Sequence, residues 1–137
     1  MSDRILTKAA RFLSENGVGN FTPVLAERYK EKIPPQIDLV FSVVVMQHLT
    51  RDLVRDYFRG LQGKLKPGGH FLVQFVEDFL AYDTDAQAID YEPSINWTPR
   101  QILELSEGVG LDFLEVRSRK VTPTALWHWA FLRKPLV

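Results

Sequence analysis

The sequence predicts an α/β fold, a partial Rossmann-like sandwich whose sheet is mostly parallel and ends in a C-terminal antiparallel hairpin. Three observations carry that prediction. Residues 38–45 (DLVFSVVV) are almost continuously apolar and β-branched, the pattern of a strand covered on both faces and therefore central in a sheet. An amphipathic stretch follows and runs through Pro67-Gly68-Gly69 into a second apolar run, FLVQFV. Two alternating segments near the C-terminus, 111–118 and 125–133, match a hairpin across the loop RKVTPT. A strand, helix, strand unit requires a right-handed crossover and a parallel strand pair.

The remaining elements follow in order. Ser2 is placed to cap a helix over about residues 3–16, where Ile5, Leu6, Ala9, Phe12 and Leu13 recur at helical spacing and Gly17 supplies the stop. Residues 20–25 form a weaker strand candidate, since Pro23 suits only an edge or a strand's beginning. Thr50 caps the amphipathic helix, whose stripe is Val54, Tyr57, Phe58, Leu61 and Leu65, and Lys64 and Lys66 fall where a helix end favours cations. Thr98-Pro99-Arg100-Gln101 has the form of a capping box, opening a helix that ends near Gly108 and Gly110.

Composition narrows the function classes. A length of 137 residues suits one domain, 1–137. Lys plus Arg and Asp plus Glu are both 17, so no overall field draws nucleic acid or an anionic membrane, and a small or uncharged partner is expected. With no cysteine there is no disulfide framework, thiolate metal site or cysteine nucleophile, which fits a reducing cytoplasm. The N-terminal residues carry charges throughout and lack a signal-type apolar core, and no apolar run approaches a membrane span. The segment from Glu77 to Glu92 holds six carboxylates and no Lys or Arg, so residues 77–97 are expected to form an acidic loop or lid.

The combination of Asp38 opening IDLVFS, the following Gln47-His48-Leu49, the KPGG turn before the next strand and the terminal hairpin resembles the later part of a class I S-adenosylmethionine-dependent methyltransferase domain. The resemblance covers nearly the whole chain. It implies a methyltransferase with S-adenosylmethionine as cofactor and a small-molecule acceptor. No glycine occurs before Gly17, so the family's glycine-rich cofactor loop has no counterpart upstream, and Ser2 resembles a serine that the family carries after the ribose-binding carboxylate. The expectation is therefore a domain truncated at its N-terminus relative to the family and inactive as this chain alone. The alternative is a non-catalytic, methyltransferase-like interaction module. In the family the first strand lies beside the one at 38–45. Its loss would leave an exposed edge there, and a homodimer covering that edge is expected.

The resemblance also nominates site residues. Glu27, one step past the weak strand, would accept a hydrogen bond from the adenine amino group. Ser42 and Val43 end the central strand, where ligands of open α/β sheets bind, and would face the methionine part of the cofactor together with Gln47. His48, Glu77 and Trp97 would border the acceptor, with His48 the one candidate base. The other acidic residues, Asp78, Asp83, Asp85, Asp90 and Glu92, would select a cationic acceptor or remain solvated; they show no ordered metal-ligand spacing, and no metal is expected. Gly17-Val18-Gly19 is a helix stop rather than a cofactor loop, because a helix precedes it where a strand is needed. Trp127, Trp129 and Phe131 alternate onto one face of the last strand, expected to be core.

Overall fold

The computed structural model describes residues 3–78 and 95–137. The chain divides into two compact units, residues 1–34 and 35–137.

In the first unit, α1 (Asp3–Glu15) is closed as its sequence predicts. Gly17 takes φ +80°, its N–H reaches Ser14 O at 3.1 Å, and the Val18 N–H reaches Leu13 O at 2.9 Å. These two bonds satisfy the last carbonyls of the helix, a job that needs a left-handed residue and hence glycine. Residues 20–25 do not form the expected strand. Pro23 has no N–H to give a ladder, and the chain instead enters a 3-10 turn, Ala26–Arg28, and the short α2 (Tyr29–Lys32).

The second unit is a four-stranded sheet in the order β1-β2-β4-β3, built from β1 (Ile37–Ser42), β2 (Leu65–Asp78), β3 (Asp112–Lys120) and β4 (Ala125–Arg133). The β1–β2 pair is parallel, joined by α3 (Arg51–Lys64), while β2–β4 and β3–β4 are antiparallel. Thus the strand, helix, strand unit and the hairpin stand where the sequence put them, in a mixed sheet. Two features of the first strand differ. It ends at Ser42, because Val44 turns to φ +57°, and it lies at an edge of the described sheet, as the resemblance implies, and not at the centre that its apolar pattern suggests, with Leu39 53% and Phe41 61% exposed. Its apolar run nevertheless reflects a strand suited to neighbours on every side.

The core lies between one sheet face and two helices, α3 and α4 (Pro99–Gly108). Val54 and Phe58 from α3 and Ile102 and Leu105 from α4 meet Phe71, Val73 and Phe75 of β2 and Ala130 and Leu132 of β4. Phe58 stacks on Phe71 with centroids 4.9 Å apart. Thr98 and Gln101 close the predicted capping box on α4. Trp127, Trp129 and Phe131 do share a face, but it is the opposite one, and they are half-buried; His128, Ala130 and Leu132 point into the core. Alternation fixes which residues share a face, whereas the helices decide which face they cover.

Candidate functional site

The carboxyl ends of the parallel strands β1 and β2 converge on one rim, where ligands of open α/β sheets bind. Four hydrogen bonds hold it. The Val44 N–H donates to Gln74 Oε1 at 2.7 Å, and Gln74 itself has no exposed surface. The Ile95 N–H donates to the carbonyl of Gln47 at 2.8 Å, in the 3-10 turn Met46–His48 that follows β1. The Trp97 N–H donates to Val76 O at 2.9 Å, and the Asp78 N–H to Asn96 Oδ1 at 2.6 Å. The segment 95–97 is thereby tied to the ends of both strands, and Arg51, in the first turn of α3, donates to Asn96 O at 2.8 Å. A buried amide that satisfies a strained backbone N–H is costly to lose, so the rim is well fixed.

The six nominated residues of the second unit lie on this rim. Ser42 and Val43 are half-buried at the end of β1, and Gln47 and His48 occupy the 3-10 turn, with His48 exposed. Gln47 Oε1 is buried and accepts no hydrogen bond from a described residue. Trp97 is 3% exposed, packs on Phe75 with centroids 5.2 Å apart and lies 5.7 Å from the Arg51 guanidinium. With Arg51, Arg55, Gln101 and Glu104 it lines a recess of about 220 Å3 between α3 and α4. Its Nε1 also has no hydrogen-bond partner among the described residues.

Glu77 is not a free acidic side chain of a lid. Its Oε2 meets His128 Nε2 at 2.7 Å, and His128 Nδ1 meets Ser118 Oγ at 2.7 Å on the other side. His128 is 1% exposed, so both ring nitrogens are satisfied by this line across β2, β4 and β3. Glu77 therefore anchors a core histidine as well as bordering the rim.

Glu27 is exposed on the 3-10 turn of the first unit, and a recess of about 410 Å3 in that unit, between α1 and residues 22–25, is lined by Arg28 and Lys32 and does not include it. Asp38, which opens β1, is exposed and paired with Lys66. The hydrogen bond from Lys66, helped by its charge, holds the Asp38 carboxyl below its ordinary value. Asp83, Asp85, Asp90 and Glu92 lie outside the described residues, as does most of the expected lid. Among the described residues no group of His, Asp and Glu stands close enough to hold a metal ion, and no helix is long and apolar enough to cross a membrane.

Reasoning from sequence missed Gln74, Asn96 and His128. Each is a single polar residue inside or beside an apolar run, and the available signal was that a polar side chain buried in a strand must find a partner.

No family model matches the chain, and no curated protein matches it. Solved structures do. The 4+2 cyclase SpnF superposes with a TM-score of 0.74 at 16% identity, over 99% of this chain and 65% of that one. The 1,6-didemethyltoxoflavin-N1-methyltransferase of Burkholderia thailandensis, solved with 1,6-didemethyltoxoflavin and S-adenosylhomocysteine, gives 0.69 at 16%, over 93% and 56%. An S-adenosylmethionine-dependent methyltransferase of Methanosarcina mazei gives 0.71 at 10%, over 99% and 80%. The chain thus spans less than two thirds of the first of these, at identities that speak for fold alone. On the strand order, the crossover through α3, the terminal hairpin and these superpositions, the chain has the class I methyltransferase fold.

Proposed function

We propose that this chain is the acceptor-side part of an S-adenosylmethionine-dependent methyltransferase acting on a small-molecule acceptor, and that alone it builds only part of the cofactor site. The observation that supports this most is the buried Gln47 Oε1 at the β1 rim, which has no hydrogen-bond partner among the described residues. An acceptor left without a donor costs about 1–3 kcal/mol, which a ligand N–H group at that point would relieve. Ser42, Val43 and Gln47 would hold the amino-acid end of the cofactor. The bound cofactor supplies an electrophilic methyl group on a sulfonium. What the chain itself contributes is position: the Gln74-held turn at Val44 and the 95–97 segment present a fixed wall against which an acceptor can be aligned. Alignment of that kind can supply most of the acceleration of a direct displacement, and only an acceptor O–H or N–H needs a base, for which His48 is the candidate.

Calorimetric titration with S-adenosylhomocysteine tests the reading. The expected result is binding weaker than about 100 µM, weakened again by Gln47→Leu. Micromolar affinity would show a complete site and overturn the partial-site reading. No saturation to about 10 mM, or indifference to Gln47→Leu, would overturn the placement of the cofactor at β1.

A second reading, a non-catalytic interaction module, is favoured by the unpaired edge of β1 with its exposed Leu39 and Phe41. The fold alone decides nothing between the two, since SpnF carries it as a cyclase. Under either reading we propose a homodimer covering that edge.

A further inference from the structure

The sheet face turned away from α3 and α4 carries a recess lined by none of the nominated residues of the β1 rim. Trp127 and Trp129, two apart on β4, are half-buried on that face and line a recess of about 310 Å3 with Arg119, Lys120 and Val121. Arg119 stands opposite Trp127 in the β3–β4 register, and Trp129 stands opposite Gln74, the residue that holds Val44. Directly opposed residues lie about 5 Å apart. The recess therefore adjoins the rim.

Among the described residues its charge is unbalanced. Arg117, on the same strand, has its carboxylate in Glu115 at 2.6 Å, and its guanidinium lies 5.4 Å from the Phe131 ring. Arg119 and Lys120 form no ion pair with any described residue. Two indoles and two cations that no described carboxylate pairs match a ligand that is flat and negative. The indole faces take an aromatic ring by offset stacking, and the cations take a carboxylate through charge-assisted hydrogen bonds. An aliphatic anion would lose the stacking, and a neutral ring would lose the charge.

We infer that this recess binds a planar aromatic anion, an aryl carboxylate in the simplest case, and that such a molecule is the methyl acceptor; the second clause rests on the methyltransferase reading above, and the first does not. A carboxylate acceptor needs no base. One oxygen lone pair forms the O–CH3 bond, the C–S bond of the sulfonium breaks, and its electron pair stays on sulfur as a neutral thioether. The methyl ester forms with no proton moved.

Indole N–H resonances test this directly, because two of the chain's three tryptophans line the recess. On titration with 4-hydroxybenzoate, without cofactor, the Trp127 and Trp129 signals should shift saturably with a Kd on the order of 1 mM. Arg119→Gln should weaken binding about tenfold. Trp129→Leu should abolish it, an unmoved Trp97 signal showing that the variant is folded. Cyclohexanecarboxylate and 4-hydroxybenzamide, which each lack one half of the match, should bind several-fold more weakly. No saturable shift, or equal binding of cyclohexanecarboxylate, overturns the inference. If 4-hydroxybenzoate binds but S-adenosylhomocysteine does not, the recess stands and its assignment to the methyl acceptor falls. If S-adenosylhomocysteine binds and 4-hydroxybenzoate does not, the recess inference alone falls.

Discussion

Gln74 has no exposed surface and directs both ends of its amide to backbone groups, Oε1 accepting from Val44 and Nε2 donating to Phe75 O at 2.8 Å. Gln74→Leu keeps the approximate volume but leaves the Val44 N–H, at a left-handed residue, without its acceptor. The expected cost is about 1–3 kcal/mol, read as a lower urea midpoint, together with faster amide exchange over residues 43–48. An unchanged midpoint and unchanged exchange would show that the turn at Val44 holds without this bond. The sequence could nominate Ser42, Val43, Gln47, His48, Glu77 and Trp97 because position after a strand or beside a lid marks them. It could not nominate Gln74 or His128. In FLVQFV and LWHWAF the polar residue sits in an apolar run, and only the fold reveals that the Gln74 amide reaches the turn after β1, or that His128 lies between Glu77 and Ser118.

At the scale of elements, glycine context separates structural from incidental positions. A Cβ at Gly69 would meet Leu65 Cδ2 and Lys66 O at 3.0 Å and Ile37 O at 3.1 Å, and two of those three atoms are backbone that cannot move aside cheaply. Gly69 also accepts from the Lys134 N–H at 2.8 Å where β4 runs out. Gly69→Ala should therefore push β1 and β2 apart and cost about 1–3 kcal/mol. Gly63 is exposed in α3 with open space around it, so Gly63→Ala should instead raise stability by about 0.5–1 kcal/mol through helix propensity. Urea denaturation of the two variants should move in opposite directions; a shared direction would contradict the close approach at Gly69. Most elements were legible for the same local reasons. Thr50 and Thr98 cap, Gly17 and Gly110 take left-handed φ, and the alternation over 125–133 gives β4 its bounds. Local reasoning failed where tertiary context decides: residues 20–25 carry strand-like composition without a partner, and nothing local to 38–45 says that its strand will lie at an edge, which only the resemblance implied.

At the scale of the whole molecule, the order β1-β2-β4-β3 leaves β1 with one row of backbone donors and acceptors unpaired within the described sheet, flanked by exposed Leu39, Phe41, Val44 and Val45. Natural edges are blunted with charge, proline or a short run, and here the charge is slight: Asp38 is neutralised by Lys66, and the rest of β1 is apolar apart from Ser42. A second copy meets the need with the least new chemistry, because two antiparallel β1 strands related by a twofold axis present each other with identical donors, acceptors and side chains. The exposed Phe41 and Leu39 would then lie near their own copies across the axis, adding apolar burial that hydrogen bonds alone would not supply. In size-exclusion light scattering the chain should show twice its 15.8 kDa mass. Phe41→Lys, which places a charge at the middle of the edge on a side chain that is already 61% exposed, should return it to a monomer while leaving its thermal transition cooperative. A strictly monomeric wild-type chain at about 100 µM, or a dimer indifferent to Phe41→Lys, would show that this edge does not carry the association.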